Sequence, residues 1–215
     1  MNIDNISTEK IRDEIINMSK LVEQMLKKCL TDESKFEDIV ILENRVNKFH
    51  TIVDDICFKF IALKRPMARD LRLALSAIKI NTDLERIADL AFNIKRAKIR
   101  LDRNGGNSLK QISTEVELML KNAIDAFTQN DACLATEVIQ HDQVVDELNE
   151  HIIQTYTCFN NQDEERKGEL NFGEAYNIVL ISSKLERIGD HTTNIAEDII
   201  FLESGKDVRH QQYLK

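Results

Sequence analysis

The chain has 215 residues, of which 42% are hydrophobic and 31% charged, so it can form a folded core. One proline, six glycines and no tryptophan favour long helices with few connections and argue against sheet-based folds. The formal net charge of −8, concentrated in the second half, argues against a nucleic-acid-binding protein.

Apolar residues at helical spacing predict three helices in the first half of the chain. The first follows a stripe over residues 11–29, and the second runs from about 34 to 63. The third begins near Pro66, which suits the first turn of a helix, and reaches about residue 101. Residues 1–101 are therefore predicted to form one three-helix unit.

The second half repeats this pattern after a segment rich in turn-forming residues. Residues 102–108 are predicted to be a linker that ends in Ser108 as an N-cap. Helix four follows residues 112–126, helix five begins at an Asp131 cap, and helix six spans about 172–202. A polar connection, 160–168, separates the last two helices. The second unit covers residues 109–204, and the tail 205–215 is predicted to be loosely held.

Short connections imply antiparallel neighbouring helices. The sequence therefore predicts an all-α fold of two tandem, similar, antiparallel three-helix bundles, each with its own core. The four cysteines lack any C-x-x-C spacing and are expected to be reduced core thiols. Neither a signal peptide nor a membrane-spanning segment is predicted, which favours a cytoplasmic protein.

One six-residue motif occurs twice in the sequence. Leu84-Glu85-Arg86-Ile87-Ala88-Asp89 returns 101 residues later as Leu185-Glu186-Arg187-Ile188-Gly189-Asp190. The leucine and isoleucine of each copy belong to the apolar stripe, whereas Glu and Asp share an outward face. The period is that of a duplicated domain, since a solenoid needs several short units.

The paired carboxylates are candidates for metal binding. Like charges at i,i+4 disfavour a helix slightly, and a divalent cation would offset that repulsion. Helices two and five offer comparable pairs, Glu43 with Asn47 and Asp142 with Asp146. Facing the repeated motif across a groove, they would complete an all-oxygen site in each half, suited to hard or borderline metals.

Spacing alone also fits a simpler interpretation, in which these residues are solvated helix faces with surface ion pairs. A ferritin-like di-iron centre is disfavoured because it needs an inward Glu-x-x-His pair that the sequence lacks. We predict no enzymatic activity, because no nucleophile–base pair or phosphate-binding glycine loop has a useful spacing. A metal-storage bundle and a plain helical scaffold remain alternative functions.

Three stretches give the chain a resemblance to the PhoU family of phosphate-specific transport accessory proteins. They are Met67-Ala68-Arg69-Asp70-Leu71-Arg72, residues 83–89, and residues 185–197 with their sequence LERIGDHTTNIAE. The resemblance covers nearly the whole chain and implies two similar three-helix bundles whose Glu/Asp-x-x-x-Asp motifs hold metal ions. It identifies neither the metal, with iron, zinc, manganese and magnesium as candidates, nor the ions per site.

The metal ligands are carried over by position from this resemblance. The first site would use Glu43, Asn47, Glu85 and Asp89, with Asp83 able to join it, and the second Asp142, Asp146, Glu186 and Asp190. Ala88, where the family often has glycine, and the weaker ligand Asn47 make the first site the less secure.

The resemblance also implies a regulatory role and partners. The chain is expected to link the ATPase of an ABC-type phosphate importer to a membrane sensor histidine kinase, and to repress the phosphate-starvation response when phosphate is plentiful. An accessory role for a different phosphate permease is the alternative within the family. A homodimer without membrane insertion is expected. Basic clusters near Pro66 and after residue 94 are candidate partner surfaces, with Arg65, Arg69, Arg72 and Arg96 as the residues of interest.

Overall fold

A computed structural model describes residues 6–31, 34–101, 106–157 and 172–208. Within these ranges all regular structure is helical, which confirms the all-α prediction. The six helices are α1 (Thr8–Leu30), α2 (Phe36–Lys64), α3 (Ala68–Lys98), α4 (Gly106–Gln129), α5 (Ala132–Thr157) and α6 (Phe172–Ser204). The predicted polar connection 160–168 and Cys158 lie outside the described residues.

Local side-chain chemistry explains several helix ends. The Ser7 hydroxyl accepts a hydrogen bond from the Lys10 amide at the start of α1. Asp131 caps α5 as predicted, because its Oδ1 accepts from the amides of Cys133 and Leu134 at 2.9 and 3.0 Å. Such caps satisfy amides that the first helical turn leaves without intrahelical acceptors.

Two predicted helix starts were wrong. α3 begins at Ala68, after Met67 as N-cap, so Pro66 lies in the preceding turn rather than in the helix. This turn is tight, with Arg65 and Ala68 both in the left-handed region at φ of 49° and 47°. α4 begins at Gly106, so Ser108 lies inside the helix and is not its N-cap.

The two longest helices, α3 and α6, pack against each other at the centre of the molecule. In the first repeat α2 packs on α3, and α1 lies against both. The second repeat has the same arrangement, with α5 on α6 and α4 against both. α1 also contacts α4, and Arg12 of α1 lies 3.8 Å from Glu203 of α6, so α1 contributes to the joining of the repeats as well.

Contacts along the α3–α6 pair show that these helices are antiparallel. The Arg72 Nε donates to the carbonyl oxygen of Leu202 at 3.3 Å, and the Ser76 hydroxyl donates to that of Asp198 at 3.2 Å. Farther along, Asp83 lies 2.8 Å from His191. Residue numbers increase along α3 while those of their contacts decrease along α6, so the two helices are antiparallel. The middle of one helix faces the middle of the other.

The prediction that each repeat owns a separate core was wrong. Buried apolar residues of both repeats form one continuous cluster, which includes Ile94 of α3 and Ile188 of α6. The α3–α6 interface joins the two halves, so both bundles share their central layer. Long-range burial of this kind contributes roughly 25 cal/mol for each Å² of apolar surface removed from water.

The cysteines only partly match the prediction of core thiols. Cys29 and Cys57 are buried, and burial raises the pKa of each thiol to about 12. Cys133 is exposed near the start of α5. The two buried thiols therefore stay protonated and behave as small apolar side chains.

Some charged and tail residues have structural roles. The Lys95 ammonium donates to the Thr31 carbonyl at 3.0 Å, and Lys98 donates to the Leu30 carbonyl, so both satisfy the C-terminal end of α1. In the tail, Gly205 ends α6 with a positive φ of 70°, and Val208 packs against the core. Within the predicted tail, Val208 thus contacts the core, and 209–215 lie outside the described residues.

Among the helices described, none has an apolar stretch that could cross a membrane.

Candidate functional site: a carboxylate cluster between α5 and α6

The α5–α6 seam brings four predicted metal ligands together. Burial, and after it the charges of Asp146, Asp190 and Glu186, together raise the pKa of Asp142 to about 6. Desolvation, then Asp190 and Asp146, raise the pKa of Glu186. Desolvation and Asp146 likewise raise the pKa of Asp190. The four carboxylates therefore repel one another and share a local excess of negative charge.

Gly189 allows α6 to approach Asp142 closely. A Cβ at this glycine would lie 3.1 Å from the Asp142 Oδ1 and 3.5 Å from a methyl group of Val145. The same Oδ1 is buried and has no hydrogen-bond partner among the described residues. The Thr193 hydroxyl is the neighbouring donor and lowers the pKa of Asp142, but neither its oxygen nor the Asp142 Oδ1 makes a hydrogen bond of normal geometry, which leaves a costly unmet acceptor at the seam.

These features fit an oxygen-liganded cation. Carboxylates are the preferred ligands of Mg²⁺ and Mn²⁺ and also bind iron. Within the part of the chain that the structure describes, however, no three His, Cys, Asp or Glu side chains converge tightly enough to hold an ion as they stand. An ion at this seam would have to draw the carboxylates closer, by rotation of the exposed Asp146 and Asp190.

The corresponding residues of the first repeat have a different environment. Glu43, Glu85 and Asp89 are half-buried and Asn47 is exposed, along the seam where α2 packs on α3. Glu85 lies 3.7 Å from the Nε of the adjacent Arg86. The first repeat has Ala88 at the position of Gly189. It also has the amide of Asn47 at the position of the Asp146 carboxylate. The predicted first site thus has less negative charge than the second.

Asp83 faces the other repeat. Its Oδ1 is 2.8 Å from His191 Nδ1 and accepts a longer hydrogen bond from the Asn194 amide at 3.4 Å. It lines a cavity of about 370 Å³ between α3 and α6. The structure therefore gives Asp83 a role in joining the repeats, and does not bring it to Glu43 and Asn47 on α2.

The four predicted partner-binding arginines fall into two groups. Arg69 makes two hydrogen bonds to the Glu203 carboxylate at 2.8 and 3.0 Å, and Arg72 donates to the end of α6. These two arginines hold α3 to α6. Arg65 and Arg96 are exposed, and no ion pair joins either to another described residue.

Sequence reasoning missed the roles of His191 and Gly189. Spacing assigned no role to His191, although its ring contacts Asp83 of the other repeat. Gly189 carried a signal, because it interrupts a helix at the position where the first repeat has Ala88. A glycine inside a helix is destabilising and often marks a close approach.

Fold and site together define a class of protein: a tandem duplication of three-helix bundles in which the last helix of each repeat carries a Glu-x-x-x-Asp pair. Comparison with family models finds the PhoU domain twice, at residues 15–97 and 109–199. The chain belongs to the PhoU family.

Individual relatives agree with this assignment. The chain is 32% identical to the phosphate-specific transport system accessory protein PhoU homolog of Pseudomonas aeruginosa, over 96% of this chain and 87% of that protein. It is 29% identical to the PhoU protein of Serratia marcescens, over 96% and 86% of the two chains.

Solved structures give the same fold. The crystal structure of PhoU from Pseudomonas aeruginosa matches with a TM-score of 0.83 and 29% identity, over 92% of this chain and 97% of that one. The PhoU structure from Streptococcus pneumoniae matches with a TM-score of 0.84 at 23% identity, over 96% and 99% of the chains, and supports the fold alone. Two tandem PhoU repeats are thus confirmed.

The raised pKa of Asp142 gives a testable pH dependence in metal-free protein. Its native pKa of about 6 exceeds the ordinary 3.8. Between these two pH values the native state retains a proton that the unfolded chain loses, so the stability of the protein falls as pH rises from 3.8 to 6. Asp142→Asn should therefore stabilise the protein at pH 7, by on the order of 1–2 kcal/mol after allowance for solvent screening.

Urea unfolding in the presence of chelator measures this difference. The gain should shrink as pH falls from 6 towards 3.8 and should disappear about one unit below 3.8, where the Asp142 carboxyl is protonated in both states. Asp146→Asn, one turn along α5 and exposed, is the control and should give a smaller gain. Equal effects of the two substitutions at pH 7 would contradict the assigned environment of Asp142.

Proposed function

We propose that this protein is a cytoplasmic, non-catalytic regulator of phosphate uptake. It would bind the ATPase of a phosphate importer and a membrane sensor histidine kinase, and repress the phosphate-starvation response when phosphate is plentiful. The observation that carries the proposal is membership of the PhoU family over both repeats, with relatives described as accessory proteins of phosphate-specific transport. Such a protein would reach the membrane through its partners, and we propose a homodimer as the assembly.

We further propose that metal ions bind at the carboxylate pairs. The unpartnered Asp142 Oδ1 and the close approach at Gly189 favour the second site as the stronger one. Asp142 and Glu186 would provide the less exposed ligands, and Asp146 and Asp190 the ligands that rotate inward. The bound cation would neutralise the repulsion among the four carboxylates and would fix α5 against α6.

The turn between α2 and α3 is the better supported of the candidate partner surfaces. Arg65 is exposed there beside two exposed apolar side chains, Leu63 at 51% and Met67 at 80%. Exposed apolar groups next to unpaired positive charge are typical of contact sites for acidic, partly apolar surfaces. In the other basic cluster, Lys95 and Lys98 already donate hydrogen bonds to carbonyl oxygens at the end of α1.

The metal proposal is tested by elemental analysis of protein purified without chelator. Wild type should contain bound metal, and Glu186→Gln/Asp190→Asn should lose most of it, because two of four ligands become neutral amides. Glu147→Gln/Glu150→Gln is the matched control, since both are exposed acids of α5 bound only to glutamines of their own helix. Equal metal content in all three proteins would reject the carboxylate site.

The partner proposal is tested by pull-down of the phosphate-importer ATPase. Arg65→Glu/Met67→Ser should weaken capture by about tenfold or more, because it reverses the exposed charge and removes the adjacent apolar contact. Arg96→Glu is the comparison variant and should retain capture. Loss with Arg96→Glu alone would move the surface to the end of α3, and the absence of any capture by wild type would reject the adaptor function.

A further inference from the structure

A polar cluster lies between α2 and α3, and it contains none of the predicted metal ligands. The Asn81 amide nitrogen donates to the His50 carbonyl oxygen and to the Asp54 Oδ1, each at 2.9 Å. The His50 Nε2 lies 3.8 Å from the Asp54 Oδ2. The Asp54 carboxylate thus lies beside both the Asn81 amide and the His50 ring, and Asn81 is fully buried, with 0% exposure.

Two polar atoms of this cluster have no partner. The His50 Nε2 and the Asn81 Oδ1 are both buried, and neither makes a hydrogen bond with a described residue. A distance of 3.8 Å is too long for a hydrogen bond between His50 and Asp54. Unmade hydrogen bonds of buried groups are rare in native proteins, and a bound water or ion beside these two atoms would satisfy them.

The second repeat lacks this feature. Alignment of the repeats places Asn149, Ile153 and Ser182 at the positions of His50, Asp54 and Asn81. There the Ser182 hydroxyl donates to the Asn149 Oδ1 at 2.7 Å, which closes the equivalent position with a direct hydrogen bond. The open cluster is therefore a property of the first repeat and not of the shared fold.

We propose that His50, Asp54 and Asn81 form a metal site for a borderline divalent ion such as Zn²⁺. The ligands would be the His50 Nε2, an Asp54 carboxylate oxygen and the Asn81 Oδ1, and water would complete the coordination. Two ligands each about 2.1 Å from a tetrahedral ion stand about 3.4 Å apart, so a small rotation of either side chain from the observed 3.8 Å would bring both to a shared ion.

The ligand chemistry separates this site from the carboxylate pairs. An imidazole nitrogen favours zinc, cobalt or nickel over magnesium, whereas an all-carboxylate set favours harder ions. The cluster has only two side chains of the His, Cys, Asp and Glu types, and its third ligand is an amide oxygen. The inference does not depend on metal binding at the α5–α6 seam or on the proposed function.

The test is titration of chelator-treated full-length protein with Zn²⁺ by calorimetry, together with the Zn²⁺-induced shift of the thermal midpoint. The variant His50→Asn/Asn81→Ser copies into the first repeat the hydrogen-bonded pair of the second, so it should fold. It should bind the ion at this site about tenfold or more weakly, because an imidazole ligand is lost. His141→Gln is the control, since His141 already lies 2.8 Å from Glu115.

A second readout uses wild type alone. Co²⁺ at substoichiometric amounts should broaden the imidazole NMR signals of His50 before those of His141 and His151. Together with reduced Zn²⁺ affinity in the double variant only, this would support the site. Unchanged Zn²⁺ binding in the double variant, or His50 signals that Co²⁺ leaves sharp, would overturn it. If the double variant fails to fold, the His50 signals decide.

Discussion

The antiparallel contact between α3 and α6 is the constraint on which the rest of the structure depends. It lies at the centre of both repeats, and its polar contacts run from Arg69 with Glu203 at one end to Asp83 with His191 near the middle. The apolar side chains between them belong to one core. Because both Glu-x-x-x-Asp motifs lie on these two helices, the same contact fixes the position of one candidate site relative to the other.

The duplication preserved the fold while the two seams diverged in chemistry. At the α5–α6 seam, burial and the mutual repulsion of four carboxylates raise the pKa of Asp142, Glu186 and Asp190. At the α2–α3 seam, alanine and an asparagine take the place of Gly189 and Asp146, and the polar cluster of His50 and Asn81 lies farther along. The two seams thus differ in charge and in the polar side chains that they contain.

Sequence alone predicted the helices well, because the spacing of apolar residues within one helix indicates which of its side chains are buried. The stripe from Leu84 to Ile94 is buried as predicted, and so is its copy around Ile188. Helix ends were harder. Pro66 and Ser108 have the right residue types for a helix start, but tertiary packing set the starts at Ala68 and Gly106.

The site was predictable only in part, because spacing on one helix does not say which neighbour a side chain meets. The α5–α6 carboxylates do come together, whereas Asp83 faces His191 across the repeat interface. Arg69 looked like a free basic residue until the position of Glu203 was known. Contacts between residues more than a hundred positions apart require the packing of α3 on α6, which no local pattern encodes.

Native-state hydrogen exchange tests the central claim most directly. If the α3–α6 contact organises the molecule, the most protected amides of α3 and α6 should exchange together, with the same opening free energy as global unfolding. Helices α2 and α5, at the outer edges, should open at lower free energy. Exchange of α3 with α1 and α2 in one unit, and of α6 with α4 and α5 in another at a clearly different free energy, would contradict the account.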